Sequence, residues 1–179
     1  MSRPTRRLNP IRVLFVCSGN ICRSPMAEAY FRHRVAELGL SAQISVDSAG
    51  IGGWHQGEPA DFGTRQTLEH HHISSKGLIA RKIHGHDCAF SDYIVVMDRS
   101  HLRALNSVAR GKARLLMSWT PGRAAADEVF DPYGTERFEE LYALITPALD
   151  QLLAEIVTTH GLDTLDRSPR DPGCHGKMT

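Results

Sequence analysis

A cysteine at 17 and an arginine at 23 have five residues between them in the run CSGNICRSP, and Ser24 and Pro25 follow at once. Ser24 suits a helix N-cap and Pro25 the first helical position, where its missing N–H costs nothing, so a helix is expected to start here. The first turn of a helix leaves N–H groups without partners and carries partial positive charge, which makes an anion its natural guest. Gly19 and Asn20 can take the left-handed conformations that turn successive amides into one concavity. A cysteine set in that cradle is favoured as thiolate by the amide dipoles, the helix terminus and a nearby guanidinium, so Cys17 is the expected nucleophile. The planar fork of Arg23 matches two oxygens of a phosphate and stays charged at any working pH. A thiolate beneath phosphorus, with Arg23 and loop amides on the equatorial oxygens, is arranged for in-line displacement through a cysteinyl-phosphate, with no metal required. Cys17 alone would read as a small buried hydrophobe; its company of Gly19, Asn20, Arg23, Ser24 and Pro25 reverses that reading.

The elements that must carry these residues are readable in outline. Residues 11–17 form a near-continuous β-branched and aromatic run, as expected of a strand buried on both faces of a parallel sheet. Ala27, Phe31, Val35 and Leu38 then recur at helical spacing, with Gly39 as the stop. Further strands are expected at 43–48, 93–97 and 113–117, helices at 60–72 and 100–108, and loops at 49–59 and 118–130. This alternation predicts an α/β fold with a mainly parallel sheet. Near the end, Phe138, Leu141, Tyr142, Ile145, Leu149, Leu152, Leu153 and Ile156 mark a long amphipathic helix, which Pro147 should kink or split near Thr146.

Composition bounds the function classes. The chain has 179 residues, 41% hydrophobic and 23% charged, which fits one globular domain and excludes a collagen-like or wholly disordered chain. Its net charge of +1 leaves no electrostatic footprint of a nucleic-acid binder. No apolar run approaches the roughly 20 residues of a membrane span, and the one after the basic N-terminus is too brief for a signal peptide, so a cytoplasmic protein is expected. Residues 1–10 read as a flexible tail, 11–160 as the domain and 161–179 as a disordered tail. The four cysteines, 17, 22, 88 and 174, have neither disulfide-framework nor zinc-site spacing. His70, His71 and His72 would point three ways on a helix, so no metal site is expected there.

The run CSGNICRSPMAEAYFR, with VDSAG at 46–50, GWHQG at 53–57, DYIVVMD at 92–98 and DPYG at 131–134, resembles the low-molecular-weight protein tyrosine phosphatases over 11–157. The resemblance implies a single domain whose four-stranded, twisted parallel sheet has helices on both faces, with the phosphate-binding loop between the first strand and first helix. It implies cofactor-free hydrolysis of protein phosphotyrosine, with phosphoproteins and a tyrosine kinase as partners and no nucleic acid; oligomeric state is left open. An aryl phosphate needs its leaving oxygen protonated, and the family pattern makes Asp131 that general acid and then the base toward water. It places Ser18, Gly19, Asn20, Ile21 and Cys22 in the phosphate loop, with Asn20 and Ser48 bracing it, the Ser24 hydroxyl supporting the thiolate, and Trp54 and Tyr133 lining the substrate cleft. It further implies that Cys17 and Cys22 can lock reversibly as a disulfide under oxidation. Gly134 stands where many relatives have a second tyrosine, and Leu78 where they have a histidine.

Three other readings compete. Arsenate reductase shares this fold and cysteine loop but relays through cysteines after the third strand, where this chain has VVMDRSHLRALN. Protein arginine phosphatase carries threonine where this chain has Ile21, whose extra methyl suits an aryl substrate better. A non-catalytic phosphotyrosine-binding module would need neither Cys17 nor Asp131.

Overall fold

In the computed structural model, which describes residues 9–120, 122 and 127–164, β1 (Ile11–Cys17) is the strand that the apolar run predicts, buried throughout except at Arg12. Val13, Phe15 and Cys17 enter one core, while the alternate residues Leu14 and Val16 enter another on the opposite face of the sheet. β1 pairs in parallel with β2 (Ile44–Gly50) on one edge and with β3 (Tyr93–Val96) on the other, and β3 pairs with β4 (Ala113–Leu115). The strand order is therefore β2-β1-β3-β4. The chain leaves β1 for one side and returns on the other, so the carboxyl end of β1 opens into the crevice where such sheets bind ligands.

Helices cover both faces, as expected. The larger core lies under α1 (Arg23–Glu37), α2 (Phe62–His70) and α6 (Phe138–His160), through residues such as Met26, Leu68 and Leu141. The smaller lies under α3 (Gly85–Phe90), α4 (Arg99–Ala104) and α5 (Ser107–Arg110), through Cys88, Leu102 and Ala109. Gly39 ends α1 as predicted: its φ of 71° lets the Gly39 and Leu40 amides reach the Ala36 and Val35 carbonyls at 3.0 and 2.9 Å.

Several boundaries differ from the sequence reading, each for a local reason. α1 starts at Arg23 with Cys22 as its N-cap, so Ser24 is not the cap, and its hydroxyl is engaged elsewhere. The expected helix at 100–108 is two, because Asn106 accepts the Ala109 amide at 2.9 Å and starts a new helix. α3 was not foreseen, since GHDCAF has no apolar period; the Asp87 carboxylate holds its start by accepting the His84 amide at 2.8 Å. The fourth strand ends at Leu115, and Leu116–Trp119 tightens into a 3-10 turn.

Pro147 does not split α6, which runs unbroken through it. Both Pro147 and Ala143, whose carbonyl loses its helical donor, lie on the exposed side, where water can take that carbonyl. By length and composition alone α6 is apolar enough to cross a membrane. Eight of its residues, Leu141, Ile145 and Leu149 among them, are buried in the core. Past the last residue of α6, Leu162 packs on the same core and its amide bonds the Val157 carbonyl at 3.0 Å, closing the helix end over Gly161. Residues 165–179 of the expected C-terminal tail, Cys174 among them, and residues 1–8 of the N-terminal one lie outside the described residues.

Candidate active site

Cys17 is the last residue of β1, and the end of β2 closes against the loop that follows. The Ile51 and Gly52 amides bond the Cys17 and Ser18 carbonyls, both at 2.9 Å. A Cβ on Gly50 would lie 2.9 Å from that Ser18 carbonyl, so only glycine allows this approach. Asn20 takes the left-handed conformation foreseen for it, with φ of 60°. Gly19 does not; there a Cβ would lie 2.9 Å from the His55 ring, which would have to shift to admit it.

The Asn20 side chain ties the loop together. Its amide donates to Ser24 Oγ at 2.9 Å and Ser48 Oγ at 2.8 Å, while its oxygen accepts the Arg81 backbone amide at 2.9 Å. Ser24 Oγ lies 3.0 Å from Cys17 Sγ. Ser24 already accepts from Asn20, and its own proton has two takers, the sulfur at 3.0 Å and, at the longer distance of 3.5 Å, the Ala49 carbonyl, so the hydroxyl is able to donate to a thiolate at Cys17. Ser48 in turn donates to Glu28 Oε2 at 2.6 Å. Burial pushes the Glu28 carboxyl above its ordinary range, against the bond from Ser48 and the charge of Arg32. Sequence reasoning missed Glu28, although its place on α1 within one turn of Ser24 was a signal.

Arg23 is only 4% exposed and has an acceptor for each arm of its fork. Nη1 donates to Asp98 Oδ2 at 3.0 Å and to the Val129 carbonyl at 3.2 Å; Nη2 donates to Ser18 Oγ at 3.0 Å and Asp131 Oδ2 at 2.8 Å. A guanidinium so held is already ordered, and an anion entering the cleft takes the place of an acceptor such as Asp131 on Nη2. Asp98 and His101 were also missed. Asp98 ends the quoted run DYIVVMD beside the carboxyl end of β1, and that position was the available clue. Although burial pushes the Asp98 carboxyl upward, bonds from Ser100 and His101 and the charges of His101 and Arg23 hold it below its ordinary range. Burial drives His101 down to about 4, against the pull of Asp98.

The cleft above the sulfur has a volume of about 220 Å3. It brings together Cys17, Ser18, Gly19, Ile21, Cys22 and Arg23 from the loop with Trp54, Asp131 and Tyr133, all named from the sequence, and adds His55. Trp54 and Tyr133 are 72% and 60% exposed, so they form a rim and not core. Asp131 stands at the mouth, one oxygen on Arg23 and the other accepting the Tyr133 amide at 3.1 Å. Asn20, Ser24 and Ser48 sit behind the loop as its supports. Cys22 is a free thiol pushed upward by burial first, then by Asp61 and Cys17. A larger cavity of about 650 Å3 lies alongside, walled by Phe62, Phe138, Glu139 and Gly134, and has no cysteine in its lining.

The sequence model described as "Low molecular weight phosphotyrosine protein phosphatase" matches residues 12–161. The chain belongs to this phosphatase family. It is 47% identical over 150 residues to the low-molecular-weight protein-tyrosine-phosphatase YfkJ of Bacillus subtilis, a match covering 82% of this chain and 96% of that one. The YfkJ crystal structure superposes with a TM-score of 0.80 at 44% identity, covering 86% of this chain and 98% of that one. The solved Drosophila arginine phosphatase superposes at 0.72 and 33% identity, covering 80% and 96%.

Cys88 is buried in the core on the far side of the sheet from Cys17, so it is not part of the cleft. Ile21 lines the cleft at the position where arginine phosphatases are expected to carry threonine. His70 and His71 do not simply point into solvent: each ring places a nitrogen 2.8 Å from a different oxygen of Glu139, tying the end of α2 to the start of α6.

Proposed function

We propose that this phosphatase hydrolyses phosphotyrosine in proteins, with Cys17, Arg23 and Asp131 as its catalytic groups. The supporting observation is their convergence on one cleft, with the sulfur on its floor beside Ser24 and the Asp131 carboxyl at its mouth on Arg23. The Cys17 thiolate forms a bond to phosphorus while the bond to the phenolic oxygen breaks, and Asp131 gives that oxygen its proton. Arg23 and the amides of 18–22 take the charge on the equatorial oxygens. Asp131 then removes a proton from the water that cleaves the cysteinyl-phosphate, releasing inorganic phosphate and restoring the thiolate. Ser24, Asn20 and Ser48 hold the loop, and Trp54 and Tyr133 take the two faces of the phenyl ring.

The charge that a metal ion would neutralise is met here by Arg23 and main-chain donors, so hydrolysis needs neither metal nor cofactor. The catalytic unit is residues 11–160, acting in the cytoplasm on proteins phosphorylated by a tyrosine kinase. The test is hydrolysis of p-nitrophenyl phosphate and of a phosphotyrosine peptide in EDTA by wild type and Cys17→Ser. Turnover by wild type alone is expected. Wild type that is inert without added metal, or an equally active Cys17→Ser, would refute the reading. A phosphoarginine peptide included in the same assay tests the alternative suggested by the Drosophila structure, and the Ile21 side chain in the cleft predicts that it is the poorer substrate.

A further inference from the structure

We propose that His101 is a positioning residue of this phosphatase, holding the Ser18 hydroxyl so that it donates its proton to an oxygen of the bound phosphoryl group. The inference rests on the proposed function and deepens it, adding a side-chain donor to the loop amides and Arg23.

His101, on α4, is 2% exposed and places Nε2 2.8 Å from Ser18 Oγ. Which of the two donates is decided at the other ring nitrogen. Nδ1 lies 3.2 Å from the Asp98 backbone nitrogen, a group with only a proton to offer, so Nδ1 is the acceptor and Nε2 carries the hydrogen. Asp98 Oδ1 stands equally near Nδ1 at 3.2 Å. That oxygen already accepts the Ser100 hydroxyl at 2.5 Å and the His101 amide at 3.0 Å, and burial keeps the ring neutral. Ser18 Oγ therefore accepts from His101, and it also accepts from Arg23 Nη2, which can only donate, at 3.0 Å.

Both lone pairs of Ser18 Oγ are thus occupied, and among the described residues no acceptor takes its own proton. The hydroxyl belongs to the residue next to the nucleophile and lines the cleft that the phosphoryl group enters, so that proton is left for the guest. The contacts close into a ring, Asp98 to Arg23 to Ser18 to His101 and back to the Asp98 amide, so one imidazole steadies both the hydroxyl and the guanidinium fork.

The test compares Ser18→Ala, His101→Phe, the double variant and His101→Gln. Ser18→Ala should lower kcat/KM on p-nitrophenyl phosphate about tenfold, less than the loss of a sole oxyanion donor because the loop amides remain, and should weaken competition by inorganic phosphate in step. His101→Phe should match it, and the double variant should be no worse than either. His101→Gln should recover most of the loss, since its amide can donate to Ser18 and accept from Asp98. In wild type, 15N chemical shifts should report the Nε2–H tautomer at neutral pH. An Nδ1–H tautomer, unchanged phosphate competition in Ser18→Ala, or additive losses would overturn the proposal. Should His101→Phe not fold, the tautomer and Ser18→Ala decide alone. Should wild type prove inactive on aryl phosphates, the proposed function fails, while the inorganic phosphate affinities of wild type and Ser18→Ala still judge the hydroxyl.

Discussion

Asn20 offers a way to separate backbone conformation from hydrogen bonding in the phosphate loop. Its φ of 60° is one that alanine enters at a cost of about 1 kcal/mol and glycine at almost none. Its side chain makes three bonds, at 2.9, 2.8 and 2.9 Å, all to groups that leave bulk water. At about 1 kcal/mol net for each bond, Asn20→Gly should weaken the active loop conformation by about 3 kcal/mol and Asn20→Ala by about 4. Because about 1.4 kcal/mol is tenfold in rate, kcat/KM on p-nitrophenyl phosphate should fall about 10²-fold for glycine and approach 10³-fold for alanine. Competition by inorganic phosphate should weaken in the same order, and Tm should separate loop effects from global unfolding. The reasoning is refuted if glycine restores wild-type activity, which would make the three bonds irrelevant, or if glycine and alanine are equal, which would make the left-handed conformation irrelevant.

Asp131→Asn should lose about 10²-fold or more on phenyl phosphate and far less on 2,4-dinitrophenyl phosphate, whose leaving group needs no proton; equal losses on both would remove Asp131 from the acid role. His101 sits at about 4 in the folded protein against an ordinary 6.5, so between those values the unfolded chain binds the extra proton. Its contribution is whole above pH 6.5 and lost as pH falls toward 4, by about 3 kcal/mol. Glu28, raised from 4.5, acts with the opposite sign and loses stability as pH rises through its own shifted range. Urea unfolding of His101→Gln across pH 4 to 7 should therefore show a flatter acid slope than wild type, and an unchanged slope would count against a buried neutral ring. Cys22→Ser should fail to recover activity on reduction after peroxide, because the Cys17 sulfenic acid then has no thiol to condense with and oxidises further; full recovery would rule out the loop disulfide.

Much of the site could be read directly because it is contiguous. Residues 17–25 follow a buried strand and open a helix, so covalent spacing alone places the sulfur, the amides and Arg23 together, and Asn20 adopts the conformation its side chain permits. Even here one expectation does not hold: serine at a helix start commonly caps it, whereas the Ser24 hydroxyl is engaged by Asn20 and Cys17. The break between α4 and α5 and the passage of α6 through Pro147 were decided by an Asn106 cap and by which side of a helix faces water, and apolar periodicity reports neither.

By itself, then, the sequence determined the α/β alternation, the phosphate loop and its nucleophile, because those depend on neighbours within a few residues. Tertiary structure alone decided what surrounds Arg23. Its partners Asp98 and Asp131 lie 75 and 108 residues away, and His101 lies 83 residues from Ser18. Asp98 and His101 arrive because β3 lies against β1 on the side opposite β2, which carries the start of α4 to the mouth of the loop, and Asp131 arrives because the Val129 amide just before it bonds the Met97 carbonyl just past the end of β3 at 2.8 Å. A buried cation must be matched by acceptors, but which acceptors reach it is a property of strand order, and strand order is not written in any local run of residues.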